Sequence, residues 1–402
     1  MHLQTYSLIK VLYFISILLI SALPTGTLLN IPIKILATLI LIVSFLYTLY
    51  QYKISISKNL ILTIFFISSI LLVYTTWGSI NFGYIAVIES RLILTTVILT
   101  FVAYIYHIEL FSKQFFFQVY SYATFSIFLI KIIAYLYAYM NGGREAGVAF
   151  YHLLFNIDII SMDLPFGMFR LYLQTDIIAA FYPLVLSWAV REKIVSNSFT
   201  TNLILITSIF VVFSSFSRYL IAVSFIGLFL YAYIRKDLLK LSISILPFLF
   251  IILYLFYDVI IEFIELRFFS NANDASDHIR LEQTTALVNL FFESPYFGFG
   301  IGAYDSNYIR SITNPFSYEK QILSFLPKIG FIGIVIMLLG FLYAIYQFLR
   351  EYNIIGLLSI SLFVLSGLFN PYLYSSNVVL IYVFILIMLS YQKQSKSNSI
   401  IL

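Results

Sequence analysis

The sequence contains no cysteine among its 402 residues, only two tryptophans and only 10% charged residues. The absence of cysteine excludes a disulfide framework, a thiolate nucleophile and a cysteine-bound metal. Histidine is also scarce, and the four histidines are too dispersed along the chain to predict a metal triad. We therefore predict that the protein uses neither a metal nor a cofactor.

Hydrophobic residues make up 61% of the chain, and the mean hydropathy is +0.98. A soluble domain with a polar surface does not sustain such values, so the composition predicts a polytopic membrane protein. The net charge is +5, but the basic residues are scattered singly over many loops. This distribution does not favour a nucleic-acid partner, and none is predicted.

Apolar runs long enough to cross about 30 Å of hydrocarbon predict an all-α fold with about 12 transmembrane helices. We assign them to a single integral membrane domain of residues 1–402. The predicted spans lie near residues 8–23, 31–50, 59–76, 87–106, 115–140, 172–190, 200–216, 219–234, 241–260, 323–347, 354–369 and 374–391.

The basic residues of the short loops predict the orientation of the spans. With the N-terminus inside, the junctions on the cytoplasmic side carry lysine or arginine. Both termini are therefore predicted to be cytoplasmic, and two longer segments, 141–171 and 261–322, are predicted to lie outside. The residues that indicate this orientation are Lys53, Lys58, Lys113, Arg191, Lys193, Arg235, Lys236, Lys240, Arg350, Lys393 and Lys396.

Seven of the ten arginines lie outside or at the outer boundary in this topology. A guanidinium group binds phosphate oxygens in a planar, bidentate way, so an anionic lipid head group is a natural partner. The alternative is that each arginine pairs with an acidic neighbour or with bulk lipid phosphate. The seven are Arg91, Arg144, Arg170, Arg218, Arg267, Arg280 and Arg310.

The outer segment 261–322 holds eight of the eighteen acidic residues. Within it, HIRLEQTTALVNLFF predicts a short amphipathic helix that begins after the caps Ser276 and Asp277 and is stopped by Pro295. The acids of the sequence DASD, which ends at Asp277, are interpreted as part of a helix start rather than as a metal site. We expect any chemistry to lie near this segment.

Three glycines occur at every second position of SPYFGFGIGAYDSNYIR, at residues 294–310. A phosphate loop requires a preceding strand and a following Lys-Ser/Thr, and this run has neither. Its predicted outer location also separates it from the nucleotide pool of the cell. We interpret the glycines as a close turn packed against the helix that carries Arg280.

Three ionisable residues, Lys34, Lys131 and Asp176, lie within or near predicted spans and leave a transport path open as an alternative. Lys34 and Asp176 are close enough to a span end to reach the interface, which leaves Lys131 well inside the hydrocarbon. The matched pair of interrupted helices that marks secondary transporters is not recognisable in the sequence.

Three segments carry a resemblance to a known family. They are SFSRYLIAVSFIGLFL with Arg218, RLEQTTALVNLFFESPYFGFGIGAY with Arg280, and EKQILSFLPKIGFIGI with Gly330 and Gly333. A weaker fourth segment is MFRLYLQTDIIAAFYPLVLSW. On these segments the chain from residue 205 onward resembles the Wzy-type O-antigen and capsule polymerases, and more distantly the O-antigen ligases.

One position separates the two kinds of enzyme in this resemblance. The ligases usually have His followed by Asn before the helix of Gly330, whereas this chain has Glu319 and Lys320, and several polymerases carry an acid there. From its position a few residues before a span, at the predicted outer mouth, we predict that Glu319 is the general base, and from the two best-matching segments that Arg218 and Arg280 hold a pyrophosphate. The alternatives are that Glu319 is an interface acid paired with Lys320 or an arginine, and that the arginines pair with Asp277 or Glu282. Further substrate-binding residues predicted on this basis are Arg144, Arg170, Arg310 and Tyr318, and the next candidates for the base are Asp305 and His278.

The resemblance implies a GT-C-like membrane glycosyltransferase. Its reaction would move a growing glycan from its undecaprenyl-pyrophosphate carrier to a new lipid-linked repeat unit, on the outer face of a bacterial inner membrane. The implied partners are undecaprenyl-pyrophosphate-linked oligosaccharides, together with a chain-length regulator and a flippase in the membrane. Two alternatives stay open: an O-antigen ligase that acts on a lipid A core or a protein, and a flippase or transporter of the lipid-linked sugar.

Overall fold

The computed structural model describes residues 2–399, apart from residues 25–26, 55, 165–166, 196–198, 237–270 and 310–313. Within this part the chain forms 13 helices and one antiparallel two-stranded sheet. The helices are α1 (His2–Ala22), α2 (Ile33–Tyr52), α3 (Lys58–Phe82), α4 (Tyr84–Glu109), α5 (Lys113–Met140), α6 (Arg144–Phe155), α7 (Asp176–Arg191), α8 (Phe199–Ser215), α9 (Arg218–Ile234), α10 (Asn271–Glu293), α11 (Gln321–Arg350), α12 (Ile354–Ser366) and α13 (Val379–Ser399). The strands are β1 (Ile160–Asp163) and β2 (Phe169–Tyr172).

The long apolar helices confirm an all-α polytopic membrane protein. Among the described helices, α1 to α5 and α11 are long and apolar enough to cross a membrane. Every predicted span coincides with a helix except 241–260, which lies outside the described residues. The number of about 12 spans stays a prediction, because several helices are short. The shorter apolar helices lie at Phe199–Ser215, Arg218–Ile234, Ile354–Ser366 and Ser376–Ser390.

The chain divides into two compact units. Unit 1 contains Met1–Gln51 and Tyr106–Asn273, and unit 2 contains Tyr52–Ile105 and Asp274–Leu402. The single integral membrane domain predicted from the sequence stays a prediction.

Helix α7 lies at the centre of unit 1, where it packs against α5, α8 and α9. It has 16 residues, about 24 Å at 1.5 Å per residue, which is shorter than the predicted span at 172–190 and than the hydrocarbon layer. The start of that predicted span belongs to β2 and a turn. Because α7 is buried on all sides from Asp176 to Ala189, it is a core helix of the unit.

The predicted outer loop at 141–171 contains regular structure. Helix α6 ends at Phe155, and Asn156 takes the left-handed backbone conformation (φ 50°) that terminates it. The hairpin of β1 and β2 follows, with Ile160 opposite Tyr172. Apolar side chains of α6 and β2 pack into one buried cluster with the end of α5, so this segment is part of the folded unit.

Helix α10 confirms the helix predicted within residues 261–322 but is longer than expected. It ends at Glu293, two residues before Pro295, as predicted. Ser276 and Asp277 lie inside the helix, so the prediction that they cap it is wrong. The helix begins at Asn271, and the acidic residue Asp274 lies in its first turn, where the positive end of the helix dipole favours negative charge.

Candidate functional site

Two predicted catalytic residues, Arg280 and Glu319, meet in unit 2. Arg280 Nε donates to Glu319 Oε2 at 3.0 Å, and the two side chains are 26% and 16% exposed. His278, a candidate base, is instead an exposed helix residue that lies 3.3 Å from Glu282. The pair of Arg280 and Glu319 is therefore a charge-assisted contact that is partly exposed.

One face of α10 holds the segment that carries Glu319. Arg280, Gln283 and Thr284 occupy positions i, i+3 and i+4, so their side chains project from the same side of the helix. Gln283 Oε1 accepts the Glu319 N–H at 3.0 Å, and Lys320 Nζ donates to Thr284 Oγ1 at 2.7 Å. Residues 319 and 320 are therefore fixed to α10 by backbone and side-chain contacts.

Tyr318 supports the turn at residues 305–308. Its hydroxyl accepts the Asp305 N–H at 3.0 Å and lies 3.4 Å from Tyr308 O. Burial raises the pKa of Tyr318 to about 12, so the phenol is protonated at neutral pH. These contacts are with the protein's own backbone, and the predicted role of Tyr318 in substrate binding stays a prediction.

The backbone N–H groups of residues 298–303, here called the glycine loop, all donate within the protein. A phosphate-binding loop requires N–H groups that point at the ligand, and this loop leaves none for that purpose. The structure therefore agrees with the interpretation of these glycines as a turn. The acceptors, in chain order, are Ser294 O, Pro327 O, Lys328 O, Tyr74 O, Glu89 Oε2 and Gly300 O.

The glycine loop approaches other backbone segments closely, as predicted, but its partners differ from the predicted one. A Cβ on Gly300 would lie 2.1 Å from Gly78 N in α3, and a Cβ on Gly302 would lie 2.6 Å from Ala86 Cα in α4. Both glycines have positive φ, at 93° and 90°. The loop therefore packs against α3 and α4, and the prediction that it packs against the helix of Arg280 is wrong in that detail.

Helix α11 is broken at Gly330, which has φ 62° and ψ −173°. Beyond the break, Phe331 N–H donates to Pro295 O at 2.8 Å and Ile332 N–H donates to Tyr296 O at 3.1 Å. Before the break, two α11 carbonyls accept N–H groups of the glycine loop. The break is therefore compensated by hydrogen bonds, as non-helical backbone at membrane depth requires.

A buried ion pair lies beside the glycine loop. Lys328 Nζ donates to Glu89 Oε1 at 2.6 Å, and both side chains are 0% exposed. Tyr374 donates its hydroxyl to the same oxygen at 2.9 Å, and Gly302 N–H donates to Glu89 Oε2 at 2.7 Å. This pair was not predicted, although opposite charges inside two predicted spans are the signal that indicates such a contact.

Arg170 and Arg218 lie in unit 1, and both are partly exposed. Arg218 is the first residue of α9. The hydroxyl of Tyr135 lies 3.0 Å from Phe169 O and 3.2 Å from Ser214 O. It therefore joins the strand of Arg170 to the end of α8, the helix that precedes Arg218.

Arg144 contacts Asp163 in unit 1, with its guanidinium nitrogen 2.9 Å from the carboxylate. Both side chains are well exposed, at 36% and 69%, so the contact is weak and the guanidinium can exchange partners. Arg310 lies outside the described residues. Of the predicted site residues, Arg280, Tyr318 and Glu319 belong to unit 2, and Arg144, Arg170 and Arg218 belong to unit 1.

Asp176 is buried, so the prediction that it reaches the membrane interface is wrong. It accepts hydrogen bonds from Lys131 Nζ at 2.8 Å and from Leu173 N–H at 3.0 Å. Lys131 also lies 3.2 Å from Ser214 Oγ. The intramembrane lysine of the sequence is therefore one half of a buried ion pair.

These features define a multi-pass membrane protein whose unit 2 joins a partly exposed arginine–carboxylate pair to a buried polar centre. Residues 203–338, about a third of the chain, match the Wzy_C family model, described as O-antigen ligase. The matched segment includes Arg218, Arg280 and Glu319. No curated protein and no solved structure matches the chain.

The match supports an activity of the O-antigen ligase and polymerase type, in the processing of O-antigen polysaccharide. It does not distinguish a ligase from a polymerase. The GT-C-like architecture implied by the resemblance stays a prediction.

Proposed function

We propose that the protein is a polysaccharide polymerase that joins undecaprenyl-pyrophosphate-linked repeat units on the outer face of the inner membrane. The observation that carries the proposal is the pair of Arg280 and Glu319 within the matched segment. Glycosyl transfer from a pyrophosphate carrier requires a group that stabilises the leaving charge and a group that accepts the hydroxyl proton. A guanidinium and a carboxylate supply these two functions.

In the proposed reaction, the hydroxyl of the acceptor sugar attacks the anomeric carbon of the donor glycan. The bond from that carbon to the pyrophosphate oxygen breaks, and its electron pair stays on the pyrophosphate. A new glycosidic bond forms, and the hydroxyl proton passes to Glu319. Arg280 stabilises the charge that develops on the leaving group, and undecaprenyl pyrophosphate is released.

The ion pair keeps Arg280 and Glu319 bound to each other until substrate binds. Phosphate oxygens compete with the Glu319 carboxylate for Arg280, because a guanidinium binds either group. Binding of the pyrophosphate at Arg280 would therefore release the carboxylate for proton transfer. The hydrogen bond from the Glu319 N–H to Gln283 keeps the backbone of the base in place during this exchange.

We propose that the arginines of unit 1 bind anionic groups of the lipid-linked substrates. Arg218 and Arg170 are the main candidates because both are partly exposed and lie on segments joined by one hydroxyl contact. Arg144 and Arg310 are proposed as helpers. A chain-length regulator and a flippase are the proposed protein partners, and both termini are proposed to be cytoplasmic.

A second candidate function is that of an O-antigen ligase, which transfers the finished glycan to a lipid A core or a protein. The description of the matched family favours it. Glu319 and Lys320, in place of the His and Asn usual in ligases, favour the polymerase.

Glycan analysis of a deletion strain tests the proposal. Accumulation of single-repeat product supports the polymerase. Full-length glycan that stays on its carrier supports the ligase, and repeat units trapped on the cytoplasmic leaflet support a flippase. Either of the last two outcomes would overturn the polymerase proposal.

A further inference from the structure

Contacts hold the segment around Glu319 on both sides. Lys328 Nζ lies 3.3 Å from the carbonyl oxygen of Phe316, three residues before Glu319. Gln321 lies two residues after it, and its Oε1 accepts the N–H of Leu373 at 2.6 Å. The segment 316–321 is therefore tied to the buried lysine at one end and to the turn before α13 at the other.

These two attachments meet at one carboxylate. Tyr374 follows Leu373 in the chain and donates its hydroxyl to Glu89 Oε1, the oxygen that also accepts from Lys328. The second oxygen of Glu89 accepts the Gly302 N–H. Glu89 therefore joins α4, α11, the glycine loop and the turn before α13.

The stability of the fold does not by itself explain why Glu89 and Lys328 are buried as an ion pair. Removing two charges from water is unfavourable, and a buried ion pair often stabilises a fold no more than an apolar pair of similar size. Ionisable residues at membrane depth are candidates for a functional role by default. Glu89 and Lys328 are 0% exposed, so a role in holding other groups fits them better than direct contact with substrate.

We propose that Glu89 is a positioning residue for Glu319, acting through Lys328, Tyr374 and the glycine loop. This inference rests on the proposed function, because it takes Glu319 as the proton acceptor. Catalytic groups must be held close to their productive geometry, and a displacement of about 1 Å can cost about 100-fold in rate. The closed path of contacts supplies that constraint.

A carboxylate is required at position 89 because three donors converge on it. The donors are the Lys328 ammonium, the Tyr374 hydroxyl and the Gly302 N–H. A glutamine would offer one acceptor oxygen, and a lysine would offer none. Exchanging the charges of the pair therefore keeps its attraction but removes the acceptor for Gly302.

The test uses the full-length protein with two variants and a control. Tyr374→Phe removes one donor and leaves the ion pair. The exchange Glu89→Lys with Lys328→Glu keeps both charges. The control is Tyr120→Phe, which removes a buried hydroxyl that donates to Ile178 O at 3.0 Å in unit 1.

Two measurements are made on each purified protein. The first is kcat and KM for a lipid-linked repeat unit. The second is amide hydrogen exchange of peptides that cover residues 298–303 and 316–321. The exchange measurement does not depend on activity, and the separation of kcat from KM distinguishes positioning from substrate binding.

Tyr374→Phe is expected to lower kcat about tenfold with little change in KM, and to speed exchange over 316–321. The double variant Glu89→Lys with Lys328→Glu is expected to have a low kcat and faster amide hydrogen exchange over residues 298–303. The control Tyr120→Phe is expected to change neither quantity. The positioning role of Glu89 would be overturned if Tyr374→Phe had normal kcat and normal amide hydrogen exchange. Full activity of the double variant Glu89→Lys with Lys328→Glu would also overturn it. A wild-type protein that is folded but transfers no glycan would overturn the proposed function instead.

Discussion

Lys131 Nζ and Asp176 Oδ2 lie 2.8 Å apart, and both side chains are fully buried in unit 1. The lysine carries a charge that the surrounding helices could not accommodate alone, and the carboxylate neutralises it. Lys131 is therefore not an isolated intramembrane charge, which was the reason for considering a transport path. The pair instead joins α5 to the start of α7.

Breaking this pair on one side is expected to destabilise unit 1. Lys131→Met leaves a buried carboxylate without its partner, which costs about 3–5 kcal/mol. Adding Asp176→Asn removes that charge and keeps an acceptor for the Leu173 N–H, so the double variant should recover most of the loss. Thermal unfolding in detergent measures the difference.

The control for this prediction is Lys113→Met. Lys113 pairs with Glu192 at 2.6 Å, but the two side chains are 27% and 36% exposed, so solvent screens the pair and the loss should be small. Equal destabilisation by Lys131→Met and by the double variant would contradict the account.

Glu319→Gln is expected to abolish chain extension without loss of the fold. The glutamine keeps the size of the side chain and an oxygen for Arg280 Nε, but it cannot accept a proton. Glu293→Gln is the matched control, since Glu293 is an exposed acid at the end of α10. Polymer length in a complemented deletion strain is the measurement, and near-normal polymer would move the base elsewhere.

Arg280→Lys and Arg218→Lys are each expected to lower activity strongly while the protein still inserts. Lysine keeps the charge but loses the planar, bidentate geometry that suits phosphate. Arg350→Lys is the control, because Arg350 is exposed at the end of α11. Product formation per inserted protein decides the matter, and the assignment is wrong if both lysine variants polymerise normally.

Gly78→Ala is expected to disrupt unit 2. The added Cβ would lie 1.9 Å from Ile301 O, a backbone atom that cannot move without shifting the glycine loop. Gly340→Ala is the control, because its Cβ meets nothing within 4 Å and alanine favours a helix by about 1 kcal/mol. Yield and melting temperature in detergent should fall for Gly78→Ala. Both should be unchanged or higher for Gly340→Ala.

The absence of cysteine makes the topology simple to test. Ser306→Cys lies in the segment predicted to be outside, and Ser57→Cys lies in the junction before α3 predicted to be inside, both at exposed positions. A membrane-impermeant maleimide should label the first in intact spheroplasts and the second only after permeabilisation. The opposite pattern would reverse the proposed orientation and remove the site from the outer face.

Features that depend on neighbouring residues were predictable from the sequence. The apolar runs indicated the positions of most helices, and Pro295 indicated where α10 ends. The glycines at 298, 300 and 302 indicated a close backbone approach, because positive φ and lack of a Cβ are local properties.

Features that depend on distant partners were not predictable. Sequence neighbours offered Arg280 only Asp277 and Glu282, whereas its partner Glu319 is 39 residues away. The residues of α3 and α4 that contact the glycine loop lie more than 200 residues earlier in the chain. Short strands such as ISMD and FRLY have too few positions to show an alternating pattern, so the hairpin was predicted as loop.

The buried carboxylate of Glu89 also has a consequence for biosynthesis. Its partner Lys328 is made 239 residues later, and at 5–20 residues per second the ribosome needs roughly 10–50 s to reach it. During that interval α4 is already apolar enough to enter the bilayer, yet its acid has no lysine to meet. An unpaired acid within a span costs free energy to insert, up to about 2.5–3.5 kcal/mol at the centre of a helix and less near its end, where Glu89 lies. Stable insertion of α4 is therefore expected to wait for the C-terminal half of the chain, so truncated chains that end before α11 should leave α4 loosely held and open to proteolysis.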